Sequence, residues 1–438
     1  MSIKYRKFRL LFLTLRVWRK RLVFGLGAVM VGVVACGFAR GADFAQHLFD
    51  RAYAIQPLLP LLITPVLMGF SAWATARYVP AAISSGIPQT MAARTLRDRK
   101  SRTYLLGPRV MIGKILLTLV GLLGGASIGR EGPSVQVGAG LMLLCADISG
   151  LAARRGVVLA GAAAGVAAAF NTPLAGIVFG IEEMARSFEH RHSRLVLTAI
   201  VLSGAAALTL NGNYDYFGYT AAQVDLARDW MPIIATGLLG GALGGLFTNL
   251  MLDGPAFLRT QLGKVMRPTP LAVGIVCGML VGIIGVATHG ATFGSGYGLG
   301  RALLHGELLA SWWQLPAKFL ATLLCAVSGV TGGIFAPSLS VGAALGSSMG
   351  WLFPSTAIST MVLLAMVSYF AGVTQAPITS FVIVLEITGG GTMAVPLIAS
   401  AVIGSGVARL ISPHSLYHTL AERFVEQTKR ATYESQIG

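Results

Sequence analysis

Charged residues are scarce in this sequence, and acidic residues are the scarcer kind. Only 12% of the 438 residues are charged, whereas an ordinary soluble domain carries about 25%. Seventeen acidic residues stand against 34 basic ones, which gives a net charge of +17. A water-soluble chain of this length would need more polar side chains to cover its surface. The composition therefore excludes an ordinary soluble protein.

The cysteines are few and isolated, which excludes two further classes of protein. Cys36, Cys145, Cys277 and Cys325 show no CxxC spacing, so neither a zinc site nor a disulfide framework is predicted. We expect no metal ion and no cofactor. Neither an HExxH nor a GxSxG constellation signals an active site, so we do not expect an enzyme such as an intramembrane protease or lipid hydrolase.

Long apolar runs are abundant. Hydrophobic residues make up 54% of the chain, and the mean hydropathy is +0.71. Runs of roughly 20 apolar residues, the length of a membrane-spanning helix, recur at 22–38, 58–76, 157–181, 231–251, 271–286 and 395–411. The 55 glycines suit close packing of helices in lipid. These features predict an all-α polytopic membrane protein.

The basic residues lie in clusters at the ends of apolar segments. The clusters are Lys4, Arg6, Lys7, Arg9, Arg16, Arg19, Lys20 and Arg21, and then Arg94, Arg97, Arg99, Lys100, Arg102 and Arg109. This is the positive-inside pattern, which places both clusters in the cytoplasm. We therefore expect a basic cytoplasmic segment at 1–21, a transmembrane domain at 22–412 and a short cytoplasmic tail at 413–438. No nucleic-acid readout motif accompanies the positive charge.

An internal repeat divides the chain. Residues 114–141 and 318–345 align without a gap at a shift of 204, with twelve of 28 positions identical. The same shift aligns Pro173 with Pro377 and Glu182 with Glu386. The two homologous halves cover about 20–210 and 231–412. Such halves are typical of transporters, whose substrate sites lie at the repeat interface and are often formed by helices that end inside the membrane.

Three motifs rich in glycine and proline interrupt the apolar segments. They are SSGIP at 84–88, GREGP at 129–133 and GGIFAP at 332–337. Proline suits the first turn of a helix, and glycine allows the backbone before it to turn tightly. Each motif therefore predicts a helix N-terminus. Unpaired N–H groups at several converging N-termini would bind an anion without a full positive charge.

In this order, the three motifs resemble the anion-selectivity motifs of the ClC family of chloride channels and chloride/proton antiporters. The segment Ala167–Met184 (AAAFNTPLAGIVFGIEEM) is similar to that family too. Because 413–438 is too short for cystathionine-β-synthase domains, the resemblance points to the bacterial branch that lacks them. It implies a homodimer, with about 18 mostly tilted and broken helices per subunit arranged as two inverted halves.

The resemblance also implies roles for individual residues. Ser85 and Tyr417 would bind chloride through their hydroxyl groups, and Ile334 and Phe335 through their backbone N–H groups. Glu131 would be the gating glutamate and Glu183 the inner proton-transfer glutamate. The selectivity motifs would further include Ser84, Gly86, Ile87, Pro88, Gly129, Arg130, Gly132, Pro133, Gly333, Ala336 and Pro337.

Physical arguments bear on the acidic and basic residues within apolar segments. An ionisable residue inside a membrane costs at least about 2.5 kcal/mol and is a functional candidate by default. This argument supports a functional role for Glu131. Glu182 is matched in the repeat and is expected to cap or pack near a helix end, whereas Ile387 stands opposite Glu183. Lys114 and Lys318 could add positive potential to an anion path, pair with acids or snorkel. We expect Arg130 to bond nearby carbonyl groups.

The function expected from the resemblance is exchange of chloride for protons across a membrane. Ser85 favours chloride, although other small anions could be accepted. The alternative is a voltage- or pH-gated chloride channel in which Glu131 acts only as a gate. The expected partners are chloride, protons, membrane lipid and a second copy of the chain, with no nucleic acid. The expected location is a bacterial inner membrane, with both termini in the cytoplasm.

Overall fold

The chain folds almost entirely into helices. The computed structural model describes residues 15–150, 154–185, 190–212, 216–220, 222–224, 230–262, 269–307, 311–389 and 391–437. These residues form eighteen α-helices: α1 (Leu15–Ile55), α2 (Pro60–Tyr78), α3 (Ile87–Thr95), α4 (Arg99–Leu106), α5 (Pro108–Leu123), α6 (Glu131–Ser149), α7 (Arg154–Phe170), α8 (Pro173–Phe179), α9 (His190–Asn211), α10 (Trp230–Leu262), α11 (Pro270–Ala287), α12 (Tyr297–Leu304), α13 (Gln314–Val327), α14 (Phe335–Met349), α15 (Ile358–Thr374), α16 (Pro377–Thr388), α17 (Ala394–Ile411) and α18 (Leu416–Ile437). A π-helix, Gly180–Ala185, continues α8.

Long and short apolar helices occur together. Among the described residues, six stretches are long and apolar enough to cross a bilayer: Trp18–Ile55, Arg99–Leu123, Arg194–Asn211, Trp230–Gly254, Pro270–Ala287 and Gly391–Ile411. Helices α13, α15 and α16 are apolar but shorter. Helix α15, with 17 residues, is at the lower limit for spanning a hydrocarbon core of about 30 Å, and α13 and α16, with 14 and 12 residues, are below it. The expected all-α polytopic membrane architecture, with broken helices, is confirmed.

The internal repeat appears directly in the positions of the helices. Four consecutive helices of the first half begin 204 residues before four helices of the second half. The paired starts are 131 and 335, 154 and 358, 173 and 377, and 190 and 394. The two halves are therefore duplicated in structure as well as in sequence.

Two glutamates show how the halves are oriented. Both oxygens of Glu182, in the π-helix after α8, accept backbone N–H groups from the first turn of α16, at 3.1 and 2.6 Å. Both oxygens of Glu386, near the end of α16, accept N–H groups from the first turn of α8, at 3.0 and 2.7 Å. Each helix thus caps the start of its repeat counterpart, and the two run antiparallel. This is the relation expected of inverted repeats.

Glycine allows the helices of each half to approach closely. A methyl group added at Gly138 in α6 would lie 2.5 Å from the carbonyl oxygen of Gly161 in α7. In the second half, a methyl group at Gly244 in α10 would lie 2.7 Å from the carbonyl carbon of Gly372 in α15. Backbone contacts of this kind stabilise helix pairs in lipid, where burial of apolar surface offers no net drive.

The reciprocal caps predict equal losses of stability. Glu182→Gln and Glu386→Gln each remove a carboxylate charge from a helix N-terminus, so each should lower the free energy of unfolding by about 1 kcal/mol. The measurement is the thermal unfolding midpoint of the purified protein in detergent. Glu307→Gln, at an exposed acid, is the control and should leave the midpoint unchanged. Equal midpoints for all three variants would contradict the capping role.

Candidate functional site

The three glycine-rich motifs meet at the interface of the two halves. Gly129 and Gly333, which are repeat equivalents, exchange two backbone hydrogen bonds of 2.7 Å each. The backbone N–H of Gly332 donates to the carbonyl oxygen of Ser84 at 3.2 Å. Segments separated by more than 200 residues in sequence are therefore joined directly, backbone to backbone.

Each motif opens a helix, as the sequence predicts. Gly86 is the N-cap of α3, with a left-handed φ of 96° that glycine adopts without strain. Arg130 is the N-cap of α6, and Ile334 is the N-cap of α14. The first N–H groups of a helix have no partner within it. Three such ends are therefore brought together at the repeat interface.

The residues expected to bind chloride are buried around these helix ends. Ser85 is buried, and its Oγ accepts a 3.4 Å hydrogen bond from the N–H of Ile87. Tyr417 lies in the first turn of α18, which packs against α3. The Tyr417 ring is 6.0 Å from that of Phe335, at the start of α14. Among the described residues, the buried Tyr417 hydroxyl has no hydrogen-bond partner, so it can donate to an anion.

Glu131 opens α6 with a carboxylate that is 0% exposed. Its Oε1 accepts a 2.9 Å hydrogen bond from the Tyr216 hydroxyl. Oε2 has no hydrogen-bond partner within the described part of the chain. A side chain at Gly129 would collide with Oε2. Glycine at this position therefore leaves room for the carboxylate.

A large cavity reaches the Glu131 carboxylate. Its volume is about 880 Å³. Glu131, Tyr216 and Tyr297 line it, together with the polar face of α1 that carries Asp43 and His47. The cavity therefore extends as far as the buried Glu131 and Tyr216.

The Arg130 side chain bonds two oxygens of α1. Its Nη1 donates to the carbonyl oxygen of Ala39 and to Oδ1 of Asp43, both at 2.7 Å. Its guanidinium carbon lies 5.9 Å from the centre of the Tyr216 ring. The expected carbonyl bond is present, so Arg130 fastens the start of α6 to α1.

The two repeat-matched lysines are buried and bind carbonyl groups. The Lys114 Nζ donates to the oxygens of Ala82 and Ser84, at 2.8 and 2.6 Å. The Lys318 Nζ donates to the oxygens of Thr292 and Gly294, both at 3.0 Å. Neither lysine snorkels. Lys114 instead holds the turn that precedes Ser85, close to the convergent helix ends.

Glu183 is the second glutamate of the predicted site. It is 4% exposed and belongs to the π-helix, a distortion that often marks functional sites. The Nη1 of Arg94 donates to the carbonyl oxygen of the next residue, Met184, at 2.8 Å.

Tyr216 is a site residue that the sequence analysis did not identify. It lies in the segment between the two halves, so it has no repeat counterpart. It also belongs to none of the three motifs. The only available signal was a local concentration of tyrosine and phenylalanine at 214–219, which does not distinguish a site from a packing cluster.

Known proteins match this arrangement over most of its length. A family model described as "Voltage gated chloride channel" matches residues 67–409. A slow cyanobacterial Cl⁻/H⁺ antiporter has a similar structure, with a TM-score of 0.81 and 24% identity over 93% of this chain and 98% of that one. A CLC-type fluoride/proton antiporter has a TM-score of 0.78 and 22% sequence identity, over 91% of this chain and 96% of that one. A eukaryotic CLC transporter has a TM-score of 0.72 and 22% sequence identity, over 92% of this chain and 74% of that one.

The matched region contains all three glycine-rich motifs and the helices that they open. It also extends over both halves of the repeat. This chain therefore belongs to the voltage-gated chloride channel (ClC) family.

Proposed function

We propose that the protein is a chloride/proton antiporter. In this proposal, Glu131 is the gate and Glu183 carries protons on the inner side. Chloride binds between the hydroxyl groups of Ser85 and Tyr417 and the N–H groups of Ile334 and Phe335. The observation that carries the proposal is the buried carboxylate of Glu131 at the convergent helix ends, together with the second buried acid, Glu183.

The coupling follows from competition between like charges. An ionised Glu131 beside the convergent helix ends occupies a place that chloride could take, because both carry one negative charge. Protonation removes the charge and frees that place. Proton binding and chloride binding at one site are thus thermodynamically linked. A second buried acid, Glu183, then gives the proton a separate route to the inner side.

The relatives favour exchange over a channel. Two of the similar structures are described as proton-coupled antiporters, one for chloride and one for fluoride. Serine at position 85 favours chloride as the anion here. A channel in which Glu131 acts only as a gate is the other outcome of the experiment below.

The surroundings of the site fit the rest of the proposal. We infer that the protein works as a homodimer in a bacterial inner membrane, with both termini in the cytoplasm. The basic residues of α1 and of the 94–109 region then face the cytoplasm, as the positive-inside rule requires. Transport uses chloride, protons and the protein's own residues, with no metal or cofactor.

Proton coupling predicts a reversal potential that responds to pH. In liposomes with opposed chloride and proton gradients, the wild-type potential should move away from the chloride equilibrium potential as the proton gradient is changed. Glu183→Gln should fix it at the chloride potential, because the inner proton carrier is lost. Glu182→Gln is the matched control, because Glu182 is adjacent to Glu183 in sequence but caps a helix. It should retain the pH response.

Two outcomes would reject parts of this proposal. A wild-type potential that equals the chloride potential at every pH would identify a channel. If the wild type responds to pH and Glu183→Gln responds equally, the protein is an antiporter whose inner proton carrier is another group.

The Tyr417 hydroxyl predicts a loss of chloride affinity when it is removed. Tyr417→Leu should weaken chloride binding about tenfold, because a charge-assisted hydrogen bond to the anion disappears. The control is Tyr369→Leu, another buried tyrosine whose hydroxyl has no partner among the described residues. Calorimetric titration of the detergent-solubilised protein with chloride measures both. Equal chloride affinities of the two variants would remove Tyr417 from the site.

A further inference from the structure

We propose that Tyr216 is a positioning residue for transport: its hydroxyl holds the ionised Glu131 carboxylate in place and sets the pH range in which the gate opens. The inference rests on the proposed role of Glu131 as the gate. It adds to that role a specific hydrogen-bond donor from outside the three motifs.

The contact is direct and buried. The Tyr216 hydroxyl lies 2.9 Å from Oε1 of Glu131, and both side chains are buried. A hydrogen bond to an ionised carboxylate is about twice as strong as one between neutral groups. Both residues also line the cavity, so the donor and the carboxylate lie together at its wall.

The Tyr216 ring is held on several sides. The rings of Phe170, Phe217 and Tyr297 lie edge-on to it, with centroid distances of 5.4, 5.2 and 5.1 Å. Arg130 lies over the ring from the α6 side. The hydroxyl therefore has little freedom to follow Glu131 if the carboxylate moves away.

The backbone that carries Tyr216 is also fixed, although it belongs to a connecting segment. The N–H of Phe217 donates to the carbonyl oxygen of Ile387 at 3.0 Å, and that of Thr220 to Thr388 at 3.1 Å. His305 forms a 3.0 Å hydrogen bond with the carbonyl group of Phe217. This segment is thus fastened to the end of α16 and to the residue that follows α12.

Other charged and titratable groups surround the pair. Arg130 lies over the Tyr216 ring and pairs with Asp43, and the buried Tyr417 of α18 lies against Phe335 at the start of α14. His47, Asp50 and Arg40 line the same cavity. Among the described residues, Tyr216 is the one side chain that donates a hydrogen bond to the Glu131 carboxylate.

The direction of the effect follows from which form of the carboxylate the donor favours. A hydroxyl that donates to Glu131 stabilises the ionised form, because that form accepts the bond better. Without the hydroxyl, Glu131 takes up a proton at higher pH and gives way to chloride more readily. The pH at which turnover is half-maximal should therefore move in the alkaline direction.

The test is the pH profile of chloride turnover by the full chain in liposomes. Tyr216→Phe keeps the ring and its packing, and should move the half-maximal pH upward by about one unit, which corresponds to a tenfold change in proton affinity. Tyr297→Phe removes a hydroxyl from the same aromatic cluster and is the matched control. It should leave the profile where it is.

The same measurement in the Glu131→Gln variant tests the role of Tyr216 separately from the gating role of Glu131. In Glu131→Gln, turnover should lose its pH dependence, and adding Tyr216→Phe should change nothing further. If Glu131→Gln keeps the wild-type pH dependence, the gate itself is misassigned. If Glu131→Gln is pH-independent but Tyr216→Phe alone has the wild-type profile, Tyr216 only packs, and the proposal is wrong.

Discussion

The structure depends on the pair of hydrogen bonds between Gly129 and Gly333. These residues are repeat equivalents, so the pair lies where the two halves are related to each other. Two consequences follow from this contact. It places the starts of α6 and α14 side by side, and the bond from Gly332 to Ser84 brings the start of α3 to the same place. Without it, the helix ends would be three unrelated interruptions of apolar segments.

Backbone groups left unpaired by broken helices are costly in lipid unless they line a site or are buried in protein. Two kinds of helix N-terminus occur in this structure. At α8 and α16, a glutamate of the opposite half accepts the first N–H groups. At α3, α6 and α14, by contrast, the ends face one another around buried hydroxyl groups. Among the described residues, the same inverted repeat thus produces two helix ends that are capped by a carboxylate of the opposite half and three that meet at the repeat interface without such a cap.

Much of this arrangement could be predicted from the sequence, because it is encoded locally or repeated. The motifs at 84–88, 129–133 and 332–337 predict their helix starts from proline and glycine alone. The shift of 204 identifies Glu182 and Glu386 as a pair, although only the structure shows that each caps the other's helix. The carbonyl partners of Lys114 and Lys318 could not be predicted, because buried amines can be satisfied in several ways. Tyr216 could not be found either, since its contact with Glu131 is set by how the connecting segment docks.

The divergence of the two halves has a consequence at the start of α14. Phe335 stands where the repeat would place the counterpart of Glu131. Two identical halves would set two carboxylates beside the same glycine pair, and like charges at such close range strongly oppose ionisation of both. An assembly of two separate, identical half-chains could not avoid this conflict, because any acid on one would appear on the other. Fusion of the halves into one chain is therefore what allows a single carboxylate, with an apolar ring opposite, at the centre of the molecule.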